Sequence, residues 1–453
     1  MNENEFVQEQ VQKSDGLKSV VEKLKSIKGK RCLVFIHDDP DGLTSGVILK
    51  RVVEKSGGEV SLRIPDTMEL EKHRIESELK EKKYDALFIV DKATMGYYNE
   101  YPSLIKDVII IDHHPLIGEY PGRCTVYNPS IPGYTFCSTS ILCNIIAEAL
   151  GLRDDFIDFQ ALIGLKCDWA IEPATGFVAP FCKVFLDGVE AKFNNILKKR
   201  PAGFGGVGNG SGASTGSDSG ASSTAAERPT MFEVSQRQNT TLLNLIGEFF
   251  FALSGGGFQY FYNGRLPGLK DRKQVEVCFD VLESLKPADF NDFGEFLGAI
   301  NNRKLAGDIY GCFLDDWQKA INMFDNTVFL DEYKGTKIYF FTGNNVPLMP
   351  MAGSVKLYQL GSPATFMMVN WLGKEKGAHI SFRANTDTIH CGNFAAKLTE
   401  RMTGKYGNKG IISGGGHIRA AEFRTRSSGV PLSKVMEEFF VMFEEIIHRE
   451  ASQ

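Results

Sequence analysis

The chain has 453 residues, 43% hydrophobic and 24% charged, a globular composition spread over more length than one compact core holds, so two or three domains are expected. A net charge of −5 argues against a protein that coats nucleic acid through bulk positive charge. Nine scattered cysteines without a CxxC pair indicate neither a zinc site nor a disulfide framework, and the lack of a signal-like start or a bilayer-spanning apolar run points to a cytoplasmic protein with no membrane partner.

From the N-terminus, short apolar runs alternate with amphipathic stretches: CLVFI at 32–36, VSLRI at 60–64, ALFIV at 86–90, VIII at 108–111 and TVYN at 125–128. Alternation of this kind predicts an α/β domain over 1–195, a parallel sheet with helices on both faces, since near-continuous apolar strands are buried on both sides. Ser138 is placed to cap a helix through SILCNIIAEALG with its hydroxyl. Fourteen of the thirty residues from Pro201 to Thr230 are Gly or Ser, which makes 196–230 a flexible linker or insertion. Residues 231–324 read as a helical connecting segment, strongest at LLNLIGEFFFAL and FGEFLGAINNRKL, with no visible chemistry. The stretch 325–453 mixes the strands TVFL, KIYFF, TFMMVNW and AHISFR with helices near 393–403 and 432–449, an α+β unit. Between Trp371 and Arg426, ten Lys and Arg outnumber four acids by six, which suits an anionic ligand; Trp371 and Phe382 are placed to stack bases there, although core positions fit both better.

The chemistry lies at the strand ends of the first half. CLVFI runs into His37-Asp38-Asp39-Pro40-Asp41-Gly42, ALFIV into Asp91, and VIII into Asp112-His113-His114-Pro115. In an open parallel sheet these ends share one edge, where ligands bind. Taken alone, DPDG is an ordinary turn, and an Asp after a strand is ordinarily a cap or turn residue. A double His delivered beside several carboxylates is another matter, because close like charges repel unless cations lie between them. Hard oxygen ligands mixed with imidazole suit Mn²⁺ or Mg²⁺, and two such ions would activate water and neutralise phosphate charge.

These motifs resemble the DHH phosphoesterase family, with its RecJ-like and nanoRNase-like branches. HDDPDGLTSG at 37–46 is similar to the family's HxDxDG box, VDKA at 90–93 falls where a second metal-binding Asp is expected, and Asp112-His113-His114 is the triplet that names the family. GLKCDWA then supplies Asp168 where a fourth acidic element is expected. The resemblance implies two divalent cations, Mn²⁺ preferred, held by His37, Asp39, Asp41, Asp91, His113 and Asp168, with Asp91 bridging. It also implies that His114 contacts the scissile phosphate and that Asp112 orients the imidazoles.

Further along, ISGGGHIRAAEF at 412–423 looks like the GGGH signature of the DHH-associated domain, and ISFRAN at 380–385 looks like its phosphate-reading strand. Arg383, Gly414, Gly415, Gly416, His417 and Arg419 are therefore the implied substrate-binding residues, on a backbone that glycines open to an anion. The implied activity is hydrolysis of phosphodiester bonds at the ends of single-stranded nucleic acid or in short oligonucleotides. A hydrolase of a small phosphate compound, such as a cyclic dinucleotide or nucleotide bisphosphate, is the alternative, and a catalytically inactive scaffold in a replication or repair complex is a third reading. The middle segment is longer than in the smallest members, and the chain leaves no room after residue 453 for the extra oligonucleotide-binding domain of RecJ. Whether the protein is a homodimer is left open.

Overall fold

The computed structural model describes residues 3–65, 67, 70–131, 133, 135–171, 178–200, 230–232, 240–255, 262–324, 328–374, 377–407, 412–416, 418–425 and 429–445. They fall into two compact units, one of 1–230 with 239–310 and one of 231–238 with 311–453. Among the described residues, no helix is long and apolar enough to cross a membrane.

The first unit opens with α1 (Glu3–Lys13) and α2 (Asp15–Lys25), then β1 (Arg31–Ile36), α3 (Pro40–Lys55), β2 (Glu59–Arg63), α4 (Lys72–Glu81) and β3 (Ala86–Val90). It continues through β4 (Thr94–Met95), β5 (Asp107–Ile111), β6 (Leu116–Ile117), β7 (Thr125–Tyr127), α5 (Thr139–Ala149), α6 (Asp155–Cys167), α7 (Pro180–Val189) and α8 (Asn194–Leu197). Five of these strands form a parallel sheet in the order β2-β1-β3-β5-β7, while β4 and β6 make a separate short ladder. Both faces are covered, as the unbroken apolar runs require. Leu33, Phe35, Leu87, Ile89, Val108 and Ile110 pack with Ile75, Tyr98 and Tyr101 on one side. On the other side, α3 lies on β1, β2 and β3, α5 on β5 and α2 on β7.

Register decides where the site forms. Ile36 pairs with Val90, Val90 with Ile111 and Ile111 with Tyr127, so four strands end at one level. The next residues, His37, Asp91, Asp112 and Asn128, therefore emerge side by side at the carboxyl edge.

The helical stretch behaves as two pieces. Its α9 (Leu242–Ser254), α10 (Gln274–Ser284), α11 (Phe293–Ala299) and the start of α12 (Arg303–Met323) belong to the first unit, and the division falls inside α12. The reason is packing: α9 lies on α6 and α10 on α3, and Gln160 Nε2 donates to the Leu282 carbonyl at 2.8 Å. Phe249, Phe250, Phe293, Phe296 and Tyr310 close an aromatic cluster there. The Gly/Ser-rich stretch lies, for 201–229, outside the described residues.

In the second unit, β8 (Val328–Tyr333), β9 (Thr336–Asn344), α13 (Met349–Gln359), β10 (Ala364–Trp371), β11 (Ala378–Ala384), α14 (Cys391–Tyr406), β12 (Ile412–Gly416), β13 (Ala420–Thr425) and α15 (Leu432–Glu444) follow in order. The sheet runs β12-β13-β11-β10-β9-β8, and only β9 and β10 pair in parallel. Ile380, Phe382 and Phe423 face a core shared with Phe394 and Leu398 of α14 and Phe439 of α15. Phe382 is thus a core residue rather than a stacking platform.

Candidate metal centre

β1 ends at His37, and Asp39 caps α3 by accepting the Gly42 N–H at 2.8 Å on Oδ1. Its other oxygen lies 3.0 Å from His37 Nδ1. Gly42 is required at that turn, because a Cβ there would stand 2.6 Å from His37 Cβ and 2.7 Å from its carbonyl oxygen. Asp41 is buried one residue earlier and turns toward α5, where Oδ2 accepts the Thr139 N–H at 2.7 Å and Oδ1 the Ser140 N–H at 3.0 Å. This replaces the expected cap. Ser138 occupies the N-cap position, but its hydroxyl pairs with Ser140 Oγ at 2.9 Å and caps nothing, because a carboxylate brought from α3 satisfies the free N–H groups and suits the helix dipole better.

Asp91 follows β3 with φ 57°, a left-handed backbone that Asp adopts more readily than most residues, and Ala93 repeats it at φ 55°. The turn aims a fully buried carboxylate into the centre of the cluster. Asp91 Oδ1 accepts from Thr139 Oγ1 at 2.7 Å and lies 3.5 Å from His113 Nε2 and 3.9 Å from His114 Nδ1. Its Oδ2 is 3.9 Å from His37 Nδ1. Asp168, at the C-terminal end of α6, brings Oδ2 to 3.6 Å from His113 Nδ1. Asp112 stands behind the imidazoles: Oδ1 meets His114 Nδ1 at 2.8 Å, while Oδ2 accepts from Thr94 Oγ1 at 2.7 Å and Asn128 Nδ2 at 3.2 Å. The Asn128 amide also reaches the His114 carbonyl at 2.8 Å.

Three overlapping sets of ligand atoms result, each within 4.8 Å: His37, Asp39 and Asp91; Asp91, His113 and His114; Asp41, His113 and Asp168. All eight residues singled out in the first unit come together. Asn128, Thr94, Thr139 and Ser140 were not foreseen; the signal for Asn128 was its place after a fourth strand.

The electrostatics call for positive charge. Burial together with Asp39 pushes the Asp41 carboxyl up to about 6. Burial, reinforced by the neighbouring carboxylates, raises Asp91 and Asp168 well above the usual range. His113 is pushed down to about 3 by burial and by His114. Burial of Asp39 and Asp112 is outweighed by His37 and His114 respectively, and both stay acidic. Two imidazole nitrogens, His37 Nδ1 and His113 Nε2, are buried among these carboxylates without an aligned hydrogen-bond partner among the described residues. Native folds rarely leave such lone pairs unused. Divalent cations fit this donor set: hard oxygens, unpartnered imidazole nitrogens, and carboxylates that otherwise repel.

The other predicted residues lie in the second unit. Arg383 on β11 donates to the carbonyls of Phe382 at 2.8 Å and Ala421 at 3.3 Å and to Glu422 Oε1 at 3.3 Å. Arg419 is half-exposed and donates to Asp387 Oδ1 at 2.7 Å. The three glycines of β12 have different reasons to be glycine. At Gly414 a Cβ would stand 2.4 Å from Thr399 Oγ1 of α14, Gly416 has φ 145°, and a Cβ on Gly415 would meet nothing within 4 Å among the described residues. His417 lies outside the described residues.

Comparison with known proteins gives the same picture. No curated protein matches the sequence. The structure of exonuclease RecJ bound to manganese superposes with TM-score 0.53 at 16% identity, over 97% of this chain and 95% of that one. RecJ from Thermus thermophilus in complex with Mn²⁺ gives 0.56 at 16% identity, over 97% of this chain and 55% of that one. A DHH domain described as belonging to a family of ribosomal proteins gives 0.58 at 13% identity, over 96% of this chain and 92% of that one. The model of the DHH family, N-terminal domain, matches residues 31–162, the stretch that holds seven of the eight clustered residues. Residues 31–162 thus match the N-terminal domain of the DHH family, and the chain shares the fold of RecJ.

Proposed function

We propose that this protein is a metal-dependent phosphodiesterase that hydrolyses phosphodiester bonds at the ends of single-stranded nucleic acid or in short oligonucleotides. The observation that carries this reading is the pair of buried imidazole nitrogens without an aligned hydrogen-bond partner among the described residues, set among the carboxylates of Asp39, Asp41, Asp91 and Asp168. His37, Asp39 and Asp91 would hold one divalent cation, Mn²⁺ by preference, and Asp41, Asp91, His113 and Asp168 the other. When bound, such ions supply Lewis acidity for water activation and for charge on phosphate oxygens.

The chain supplies the rest. Asp112 holds the His114 ring through Nδ1, which leaves Nε2 to meet a phosphate oxygen and, in the imidazolium form, to donate to it, and Thr94 and Asn128 hold Asp112 in turn. The strand ends and the start of α5 keep the carboxylates in place before substrate arrives, so little reorganisation is needed at the reacting phosphate. In the second unit, Arg383 and the glycine strand are the residues proposed to read phosphate.

Purified protein with Mn²⁺ is expected to cleave 5′-phosphorylated oligonucleotides from the dinucleotide to about a 20-mer, and Asp39→Ala is expected to remove that activity with the circular dichroism spectrum unchanged. Wild-type-like turnover by the variant sinks the assignment. Turnover confined to cyclic dinucleotides or nucleotide bisphosphates replaces the substrate with a small phosphate compound.

A further inference from the structure

The motif that opens the metal centre carries one acid that none of the three ligand sets uses. Asp38 stands between His37 and Asp39, at a position that the HxDxDG pattern leaves free, and only 5% of it is exposed. Its Oδ1 lies 3.4 Å from His37 Nε2. Across the same ring, Nδ1 lies 3.0 Å from Asp39 Oδ2 and 3.9 Å from Asp91 Oδ2. Two successive carboxylates thus bracket one imidazole. Nδ1 is the nitrogen that faces the ligand oxygens, and it is the one without an aligned hydrogen-bond partner among the described residues.

A buried carboxylate is costly unless a charge or a donor answers it. Lys92, the residue after Asp91, is fully buried, donates to the Thr67 carbonyl, and its charge acts on Asp38. The donor that faces Asp38 is His37. An ionised Oδ1 beside a bare Nε2 would set two lone pairs against each other, whereas Nε2–H can donate to it. A neutral imidazole carries one proton, so a proton kept at Nε2 leaves Nδ1 bare for a cation. Metal-binding histidines are commonly oriented in this way, by an acceptor on the nitrogen that does not ligate. His114 is held the other way round, with Asp112 on Nδ1.

We propose that Asp38 is a positioning residue that takes the Nε2–H of His37, presents Nδ1 to the cation site shared with Asp39 and Asp91, and through that nitrogen favours Mn²⁺ over Mg²⁺. The inference rests on the metal-centre reading and adds to it the ligating nitrogen and the choice of ion. Mg²⁺ keeps its waters and takes oxygen ligands, so a well-held imidazole favours Mn²⁺ more than Mg²⁺. A carboxylate acting through charge alone would favour both ions alike.

The test is calorimetric titration of the metal-free full chain with Mn²⁺ and with Mg²⁺, in the absence of substrate, read as the ratio of the two affinities. Asp38→Ala is expected to weaken Mn²⁺ binding by about 10- to 100-fold and Mg²⁺ binding by less, so the ratio falls. Asp38→Asn removes the charge but keeps an oxygen that can accept from Nε2–H, and is expected to hold the wild-type ratio. Long-range proton–nitrogen NMR of the Mg²⁺-loaded wild type is expected to show His37 protonated at Nε2 and bare at Nδ1, a readout that stands if a variant does not fold. A proton on Nδ1, unchanged Mn²⁺ affinity or equal losses of both ions in Asp38→Ala, or a ratio in Asp38→Asn as low as in Asp38→Ala overturns the inference and leaves the metal centre in place. A wild type that binds neither ion overturns the metal centre and the inference with it.

Discussion

Asp91 carries more constraints than any other residue of the centre. It accepts from Thr139, lies within 4 Å of three imidazoles, and does so from a left-handed backbone. Asparagine tolerates that backbone and matches the side chain's shape, so Asp91→Asn is expected to keep the fold, lose Mn²⁺ binding by calorimetry and lose turnover. Asn128→Ala acts one step back, through Asp112 and His114, and is expected to lower kcat by about 10- to 100-fold with Mn²⁺ stoichiometry retained. An Asn128→Ala enzyme with normal kcat removes Asp112 from the orienting role. The ligand candidates were legible because Asp and His placed directly after apolar strands form a small, conspicuous set. Asn128, Thr94 and Thr139 were not, since a neutral polar residue after a strand or at a helix start looks the same whether it holds a ligand or closes a turn.

Helix α5 shows how the elements build the centre. Its first two N–H groups are held by Asp41, and its body packs so closely on α3 and α6 that a Cβ on Gly164 would stand 2.3 Å from Ser140 Oγ and 2.5 Å from Thr44 Oγ1. Gly164→Ala is expected to cost about 1–3 kcal/mol in urea unfolding by overpacking. Because the displaced Ser140 neighbours the Asp41 contact, Mn²⁺ affinity should fall as well; a destabilised variant with wild-type affinity would show that α5 does not position the centre. Sequence periodicity gave the strands and the existence of α5, since both depend on local pattern. It could not say that Asp41 rather than Ser138 caps α5, because that contact joins residues nearly one hundred positions apart. Nor could it place α9: a helix apolar on nearly every side announces burial without naming its partner, and only the packed structure supplies α6.

At the scale of the molecule, the two units respond oppositely to acid. In EDTA, Asp41, Asp91 and Asp168 have carboxyls raised above their unfolded values, so between pH 7 and 5 the folded first unit holds protons that the unfolded chain has released. His113 opposes them, since it is lowered and stays neutral where the unfolded imidazole charges. His37 sides with the carboxyls, because Asp39 outweighs its burial and holds it raised. With more protons bound in the folded state, stability falls as pH rises, so the metal-free first unit is expected to gain stability on acidification from pH 7 to 5. Mn²⁺ reverses this, because ligand carboxylates must be deprotonated to bind; at a hundred times its Kd the ion adds about 2.7 kcal/mol at neutral pH and progressively less below pH 6. In the second unit the sign is opposite. Burial of Glu422 is outweighed by His379, Arg383 and Arg424, which hold its carboxyl down to about 2, so its contribution is complete above the unfolded value near 4.5 and is lost as pH falls toward 2. Amide hydrogen exchange in EDTA separates the two: on acidification from pH 7 to 5, protection corrected for intrinsic rates should rise in β1, β3 and β5, while β11 and β13 should lose protection, first because burial lowers the His379 imidazole and then, below about pH 4.5, as Glu422 is protonated. Parallel trends in both sheets would mean that buried like-charge repulsion does not govern the first unit, and with it would go the argument that its carboxylates are arranged for cations.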